Sequence, residues 1–384
     1  MKKLLFVIPA FNHGGTNKSL LNMINSLDLN KYSVTIFALL HYGPYKEKFK
    51  EYDLMKEKIF ITSLFSHRNR KIRNFIKYML IYLIKIIYLL FFNDAKNYVY
   101  DRYAKKLSVL NYDTVIAMEE GEATNFVSKI KNNNKIAWVR CDYRNYIKLI
   151  NKNEKIIYGK FNKIICVSNF TKEVFVNYYN EFHNKTYPIH NVIDWQTIIE
   201  LSKNNDDIDD RFTVSNDETI IISIGRFDKV KQFDLIPFVV HELKEKNIKF
   251  KWYLIGDGKE KEKIIEEQKK FNVEKEFILL GEKNNPYPYI KSSDILICTS
   301  FSEACPNVIN EAKILHIPVI TTDFPSAIEF IETDYNGIIS TIDSLPVNVE
   351  KMMKNYDYYK KIKINISNFT YNNKILLEKL ENIL

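Results

Sequence analysis

Two glutamates, Glu303 and Glu311, flank seven residues in the stretch SFSEACPNVINEA at 300–312. A carboxylate accepts two hydroxyl hydrogen bonds at once, which is what a vicinal diol offers. Pro306 suits the first turn of a helix, so Glu303 falls in the loop before it and Glu311 more than one turn inside. The helix start between them offers free N–H groups and a positive dipole end to a phosphate. A dipole-stabilising glutamate followed by an unrelated helical one is the plainer alternative.

A second pair is cationic. Arg226 and Lys231 lie five apart in GRFDKVK, directly after the apolar run TIIISI. A guanidinium fork and an ammonium together neutralise the charge of a diphosphate. Each charge-assisted bond contributes about 1.5–3 kcal/mol. Two surface cations would look the same in isolation. Gly14 and Gly15 follow the first apolar run and precede an amphipathic helix pattern (Leu20, Leu21, Ile24, Leu27), where backbone can approach an anion closely. Gly256-Asp257-Gly258 follows KWYLI and reads as a strand-to-helix turn.

These loops need strands to carry them. Short apolar or β-branched runs recur at 4–8, 34–39, 58–62, 114–118, 135–139 and 163–167, then at 219–224, 250–255, 277–280, 295–298 and 319–321. Continuous hydrophobicity marks strands buried on both faces, hence parallel sheets covered by helices. The polar stretch KNNDDIDD at 203–210 separates the two sets. The expected organisation is an α/β chain of two doubly wound domains, 1–190 and 191–365, with a C-terminal segment 366–384 of helical spacing. In such sheets ligands bind at the strand C-termini.

The chain has 384 residues, 46% apolar and 27% charged, which excludes a disordered or fibrous protein. Four cysteines at 141, 166, 298 and 305 form no CxxC pair, so neither a metal site nor a disulfide framework is expected. Met1-Lys2-Lys3 leads into too short an apolar run for a signal peptide, and a cytoplasmic location is the default. Charge is uneven: residues 1–190 carry 31 Lys+Arg against 15 Asp+Glu, and the remainder 25 against 32. A basic first half suits an anionic membrane, a nucleic acid or a phosphorylated substrate. No helix-turn-helix, finger or aromatic RNA platform supports nucleic acid.

Taken in order, GG after the first strand, GRxxxxK at 225–231, GDG at 256–258 and E-x7-E at 303–311 resemble the retaining nucleotide-sugar glycosyltransferases of family 4. The resemblance runs from Pro9 to about Ser340. It implies the GT-B fold, two Rossmann-like domains whose parallel sheets face an interdomain cleft that closes over the donor, with the last segment crossing back onto the first domain. It implies a nucleoside diphosphate sugar donor, UDP- or GDP-linked, with no cofactor and no metal. Carried over onto this sequence, Arg226 and Lys231 hold the diphosphate and Glu311 the ribose diol. Glu303 meets the transferred sugar, with the backbone at Gly14, Gly15, Gly256, Ala304, Pro306, Asn307 and Val308 around the donor. The catalytic group would be Glu303, Arg226 and Lys231. Two positions depart from the pattern. Ala304 stands where glycine is frequent, and Arg140 stands where polysaccharide-type members place a histidine. Arginine cannot act as a base near neutrality, but it can pair with a phosphate or an acidic acceptor. It can equally pair with Asp142 or Glu120 as a structural contact. Arg140, Asp142 and Glu120 are the expected acceptor-binding residues. Two rivals fit parts of the chain. GGTNKS resembles the GGxxKS core of deviant, membrane-associated P-loop ATPases, although His13 replaces their leading lysine. A non-catalytic nucleotide-sugar- or glycan-binding subunit on the same fold is the other.

The run FIKYMLIYLIKIIYLLFF at 75–92, with Lys71 and Arg73 beside it, is too interrupted by lysine to span a bilayer. Lys77 and Lys85 share one helical face, which suits a helix lying in a membrane surface or one packed on a sheet with a basic edge. The expected partners are a nucleotide sugar, a lipid-linked or envelope glycan acceptor and, through 71–92, an anionic membrane at the inner face of the cell membrane. With anionic liposomes the protein is expected to float, and the Lys77→Glu/Lys85→Glu variant to float less. Equal flotation of the two forms contradicts a surface role for these lysines.

Overall fold

A computed structural model describes residues 1–12, 14–55, 95–149, 154–204, 208–215 and 217–384. Strand Lys2–Ala10 (β1) shows why sheets form here: Leu4, Leu5, Phe6, Val7 and Ile8 are all fully buried, although successive side chains point to opposite faces. Both faces must therefore be covered, and each such side chain contributes about 1.5–3 kcal/mol on burial.

The chain divides into two units, Met1–Val192 with Lys374–Leu384, and Ile193–Asn373. The first holds a seven-stranded parallel sheet: β1, Tyr32–Leu40 (β2), Asp53–Leu54 (β3), Thr114–Ala117 (β4), Lys135–Val139 (β5), Lys163–Cys166 (β6) and Thr186–Pro188 (β7). Their order is β3-β2-β1-β4-β5-β6-β7. The second holds six parallel strands: Thr219–Ile224 (β8), Phe250–Ile255 (β9), Phe277–Gly281 (β10), Ile295–Cys298 (β11), Val319–Thr322 (β12) and Gly337–Ser340 (β13), in the order β10-β9-β8-β11-β12-β13. Each sheet reverses direction of growth once, between β1 and β4 and between β8 and β11. Loops leaving these strand ends diverge to opposite faces and leave a crevice for a ligand.

In the second sheet alternation is explicit. Ile220 and Ile222 enter one core with Tyr253, Leu296 and residues of the helix Asn307–Ile314. Ile221 enters the other with Trp252, Ile295, Ile297 and the helices Ile236–Glu245 and Leu345–Lys354. A buried hydrogen-bond chain crosses β9, β8 and β11: Trp252 Nε1 donates to Ser223 Oγ (3.0 Å), which donates to the Ile297 carbonyl (2.7 Å). In the first unit the last residues dock at the starts of strands, away from the loops of interest. The Leu384 carbonyl accepts from Thr114 Oγ1 (3.0 Å) and Asn134 Nδ2 (3.1 Å), and Lys163 Nζ reaches the Ile383 carbonyl (2.6 Å).

Ten of the eleven expected strands are present, with ends moved by one or two residues. The eleventh, at 58–62, and the basic apolar run at 71–92 lie outside the described residues. The strands β3, β7 and β13 carry no strong sequence signal. All three are short and lie at sheet edges, and β7 ends in a proline that only an edge accommodates. The acidic stretch 203–210 lies inside the second unit, beyond the helix Trp195–Leu201, and the chain changes unit at Val192/Ile193.

Candidate functional site

The loops after β8 and β11 leave neighbouring strands at the point where the second sheet reverses. The first is pinned on one side by backbone: the Gly225 N–H donates to the Ile255 carbonyl (3.0 Å) and the Phe227 N–H to the Asp257 carbonyl (2.9 Å). Phe227 is buried edge-to-face on Phe233. Gly256 makes this approach possible. It has φ 145°, and a Cβ there would sit 1.9 Å from the Gly225 carbonyl oxygen. Its glycine is thus required by loop-on-loop packing, whereas a Cβ at Gly14, the N-cap of the helix Gly15–Ser26, would meet no atom within 4 Å.

On its other side the loop is tied to the loop after β11. The Phe301 N–H donates to the Val230 carbonyl (3.0 Å) and Thr299 Oγ1 to the Lys231 carbonyl (2.6 Å). Those two bonds bring Lys231 Nζ onto Glu303 Oε1 (2.5 Å). Ser300 Oγ donates to the same oxygen (2.8 Å), and Ser326 Oγ holds the Glu303 carbonyl (2.7 Å). Burial alone would lower the Lys231 pKa, but the Glu303 carboxylate outweighs it, with Cys298 and Asp228 adding, and the ammonium is held above its ordinary value.

Ala304 and Pro306 are buried, and Pro306 is the N-cap of the helix Asn307–Ile314, one position earlier than the first helical turn expected for it. Proline has no side-chain oxygen, so Pro306 itself gives this helix no side-chain cap. Glu303 precedes the N-cap and Glu311 is the fifth helical residue, 5% exposed. Arg226 is placed differently. Its guanidinium is 73% exposed and grips Asp228 in its own loop, with Nη2 at 2.7 Å and Nε at 2.8 Å from Oδ2. The structure thus joins Lys231 to Glu303 directly, and leaves Arg226 on the same loop with a carboxylate of its own.

In the first unit Arg140 ends β5. Its backbone N–H donates to Glu120 Oε2 (2.8 Å), while the guanidinium turns elsewhere. Nε reaches the Met118 carbonyl (2.7 Å), and Nη1 reaches Asn191 Oδ1 (2.9 Å) and Ser19 Oγ (3.1 Å). Ser19 Oγ donates to Asn191 Oδ1 (3.0 Å), closing the cluster, and the guanidinium lies 4.7 Å from the Trp138 ring. Asp142 is held within its own loop. It caps the helix Tyr143–Tyr146 and takes Arg144 on both oxygens (3.0 and 2.7 Å). Partial burial and the neighbouring Glu120 push the pKa of the Cys141 thiol up. Ser19 and Asn191 carried no signal in the sequence, being 172 positions apart. Nor did Glu154, a buried acid. Among the described residues no three His, Cys, Asp or Glu side chains gather as metal ligands would.

Two Rossmann-like units with parallel sheets make this chain an α/β protein of the GT-B fold. HepE of Anabaena, solved with UDP and glucose, superposes with a TM-score of 0.73 over 100% of this chain and 99% of its own, at 12% identity. At that identity the likeness is one of fold. Residues 204–369, which lie within the second unit, match the family of glycosyl transferases group 1. Curated relatives include an uncharacterised glycosyltransferase of Methanocaldococcus jannaschii, 30% identical over 207 residues (52% of this chain, 50% of the relative). Another is the N-acetylgalactosamine-N,N'-diacetylbacillosaminyl-diphospho-undecaprenol 4-alpha-N-acetylgalactosaminyltransferase of Campylobacter jejuni, 26% identical over 236 residues (61% of each). The chain thus spans between half and about three-fifths of the length of these relatives.

Burial pushes the Glu154 carboxyl up to about 7; the Tyr143 hydroxyl opposes this and the charge on Glu120 adds to it. The folded protein therefore holds a proton there that the unfolded chain has released. Its contribution to stability is present below the ordinary carboxylate range and is lost as pH rises through about 7. Urea denaturation of Glu154→Gln at pH 8 is expected to show a gain of about 1–3 kcal/mol over the parent, shrinking toward pH 5. Parallel pH profiles for the two proteins contradict this.

Proposed function

We propose that this protein is a retaining glycosyltransferase that moves a sugar from a UDP- or GDP-linked donor to a hydroxyl of a cell-envelope glycan acceptor. The observation that carries the reading is the Lys231–Glu303 pair, set at the reversal point of the sheet in the group 1 domain. In the reaction the bond between the anomeric carbon and the diphosphate oxygen breaks, its electron pair leaving with the diphosphate, while the acceptor hydroxyl oxygen bonds to that carbon and its proton passes to the departing diphosphate oxygen. Lys231 and Arg226 stabilise that charge as it develops, where a fixed cation counts most. The positive dipole end of the helix Asn307–Ile314 adds to that stabilisation. The Glu303 carboxylate accepts from sugar hydroxyls and Glu311 from the ribose diol. No step requires a metal.

The first unit supplies the acceptor side in this reading. Arg140, held in one orientation by Met118, Ser19 and Asn191, suits an acceptor bearing a phosphate or an acid, and Glu120 and Asp142 line the same strand ends. A lipid-linked acceptor at the inner face of the cell membrane agrees with the basic first half of the chain. The Campylobacter relative, whose name gives a diphospho-undecaprenol acceptor, supports the acceptor class. HepE, solved with UDP, supports the donor class.

Thermal melts with a panel of nucleoside diphosphates test the reading. UDP or GDP is expected to raise the melting temperature. Lys231→Ala should weaken that nucleotide roughly 10- to 100-fold, as loss of one charge-assisted contact of about 1.5–3 kcal/mol requires. No stabilisation by any nucleotide, together with an unchanged Lys231→Ala variant, overturns the donor assignment.

A further inference from the structure

Every cation of the proposed diphosphate site already holds a carboxylate: Lys231 holds Glu303, and Arg226 holds Asp228. Glu303 has a task in the proposed reaction. Asp228 has none, and it occupies the guanidinium by the Nε–Nη2 edge, one of the paired-donor edges with which arginine grips a phosphate. We propose that Asp228 is an exchangeable counter-ion, displaced from Arg226 when the donor diphosphate binds and restored when the nucleotide leaves, so that it sets the affinity of the site for its nucleotide. The inference rests on the donor assignment above.

The loop geometry explains why the exchange has an energetic consequence. The Asp228 N–H donates to the Arg226 carbonyl (2.8 Å) and the Asp228 carbonyl accepts from the Lys231 N–H (3.1 Å), so the residue is fixed by backbone between the two cations. Its Oδ2 takes both bonds from Arg226, while its Oδ1 is buried with no hydrogen-bond partner. The carboxylate therefore depends on Arg226 for most of its compensation. When the guanidinium turns to a phosphate, Asp228 keeps its charge, loses its partner and repels the incoming anion. The resulting penalty lowers affinity. It is also surmountable, because an ion pair whose arginine is 73% exposed is weak. Asp228 acts through Arg226 and through the field at Lys231, whose pKa its charge helps to raise. It is a positioning residue and not a catalytic one.

Calorimetric titration of the full chain with UDP, GDP and inorganic pyrophosphate tests this, using the parent, Asp228→Asn and Asp228→Ser, with melting curves confirming that each variant is folded. Both substitutions are expected to tighten the preferred nucleotide and pyrophosphate by about three- to fivefold, the scale set by an exposed ion pair. The effect on pyrophosphate separates the anion site from contacts to the base. Unchanged or weaker binding by folded variants of a parent that binds overturns the counter-ion role and leaves the donor assignment standing. A parent that binds none of the three ligands removes the donor assignment itself.

Discussion

The candidate site depends on two loops being tied to one another. Strands β8 and β11 are neighbours only because the second sheet reverses between them, and the Trp252–Ser223–Ile297 chain holds three strands in register beneath. Above it, the Phe301 N–H and the Thr299 hydroxyl bond to carbonyls of Val230 and Lys231. Each bond is worth about 1 kcal/mol net, and together they couple the order of one loop to that of the other. Only then can an ammonium from one loop meet a carboxylate from the other. The ion pair follows from sheet topology, and it lies where an open α/β sheet receives ligands.

The two candidate sites hold their cations differently. In the second unit Lys231 and Arg226 each hold a carboxylate. In the first, the Arg140 guanidinium is held by a carbonyl, a hydroxyl and an amide oxygen. These neutral acceptors fix its direction. Asp142, the carboxylate nearest in sequence, is turned away by Arg144 and by its cap on the helix Tyr143–Tyr146.

The central strands were legible because burial on both faces forces unbroken apolar runs, as in TIIISI and KWYLI. Edge strands were not, since β3, β7 and β13 need too few residues to leave a pattern. Lys231, Glu303 and Glu311 could be picked out because loop motifs directly after strands have fixed positions in such a sheet. The partners of Arg140 could not, because Ser19 and Asn191 come together only through tertiary folding of chain segments 172 residues apart. Gly256 was legible as a glycine but not for its reason. The sequence reads as a strand-to-helix turn there, and the structure adds that the Gly256 Cα abuts the Gly225 carbonyl. The Arg226–Asp228 pair is local, yet its sense was hidden: GRFDKVK shows an aspartate between cations and not which of them it binds.

Amide hydrogen exchange with and without nucleoside diphosphate tests the central claim most directly, because it reports loop by loop. A nucleotide received by the tied loops slows exchange in 225–231 and across 299–311, with Gly225, Lys231 and the start of the helix Asn307–Ile314 most affected. Slowing confined to 11–19 after β1, with the loops after β8 and β11 unchanged, would contradict it.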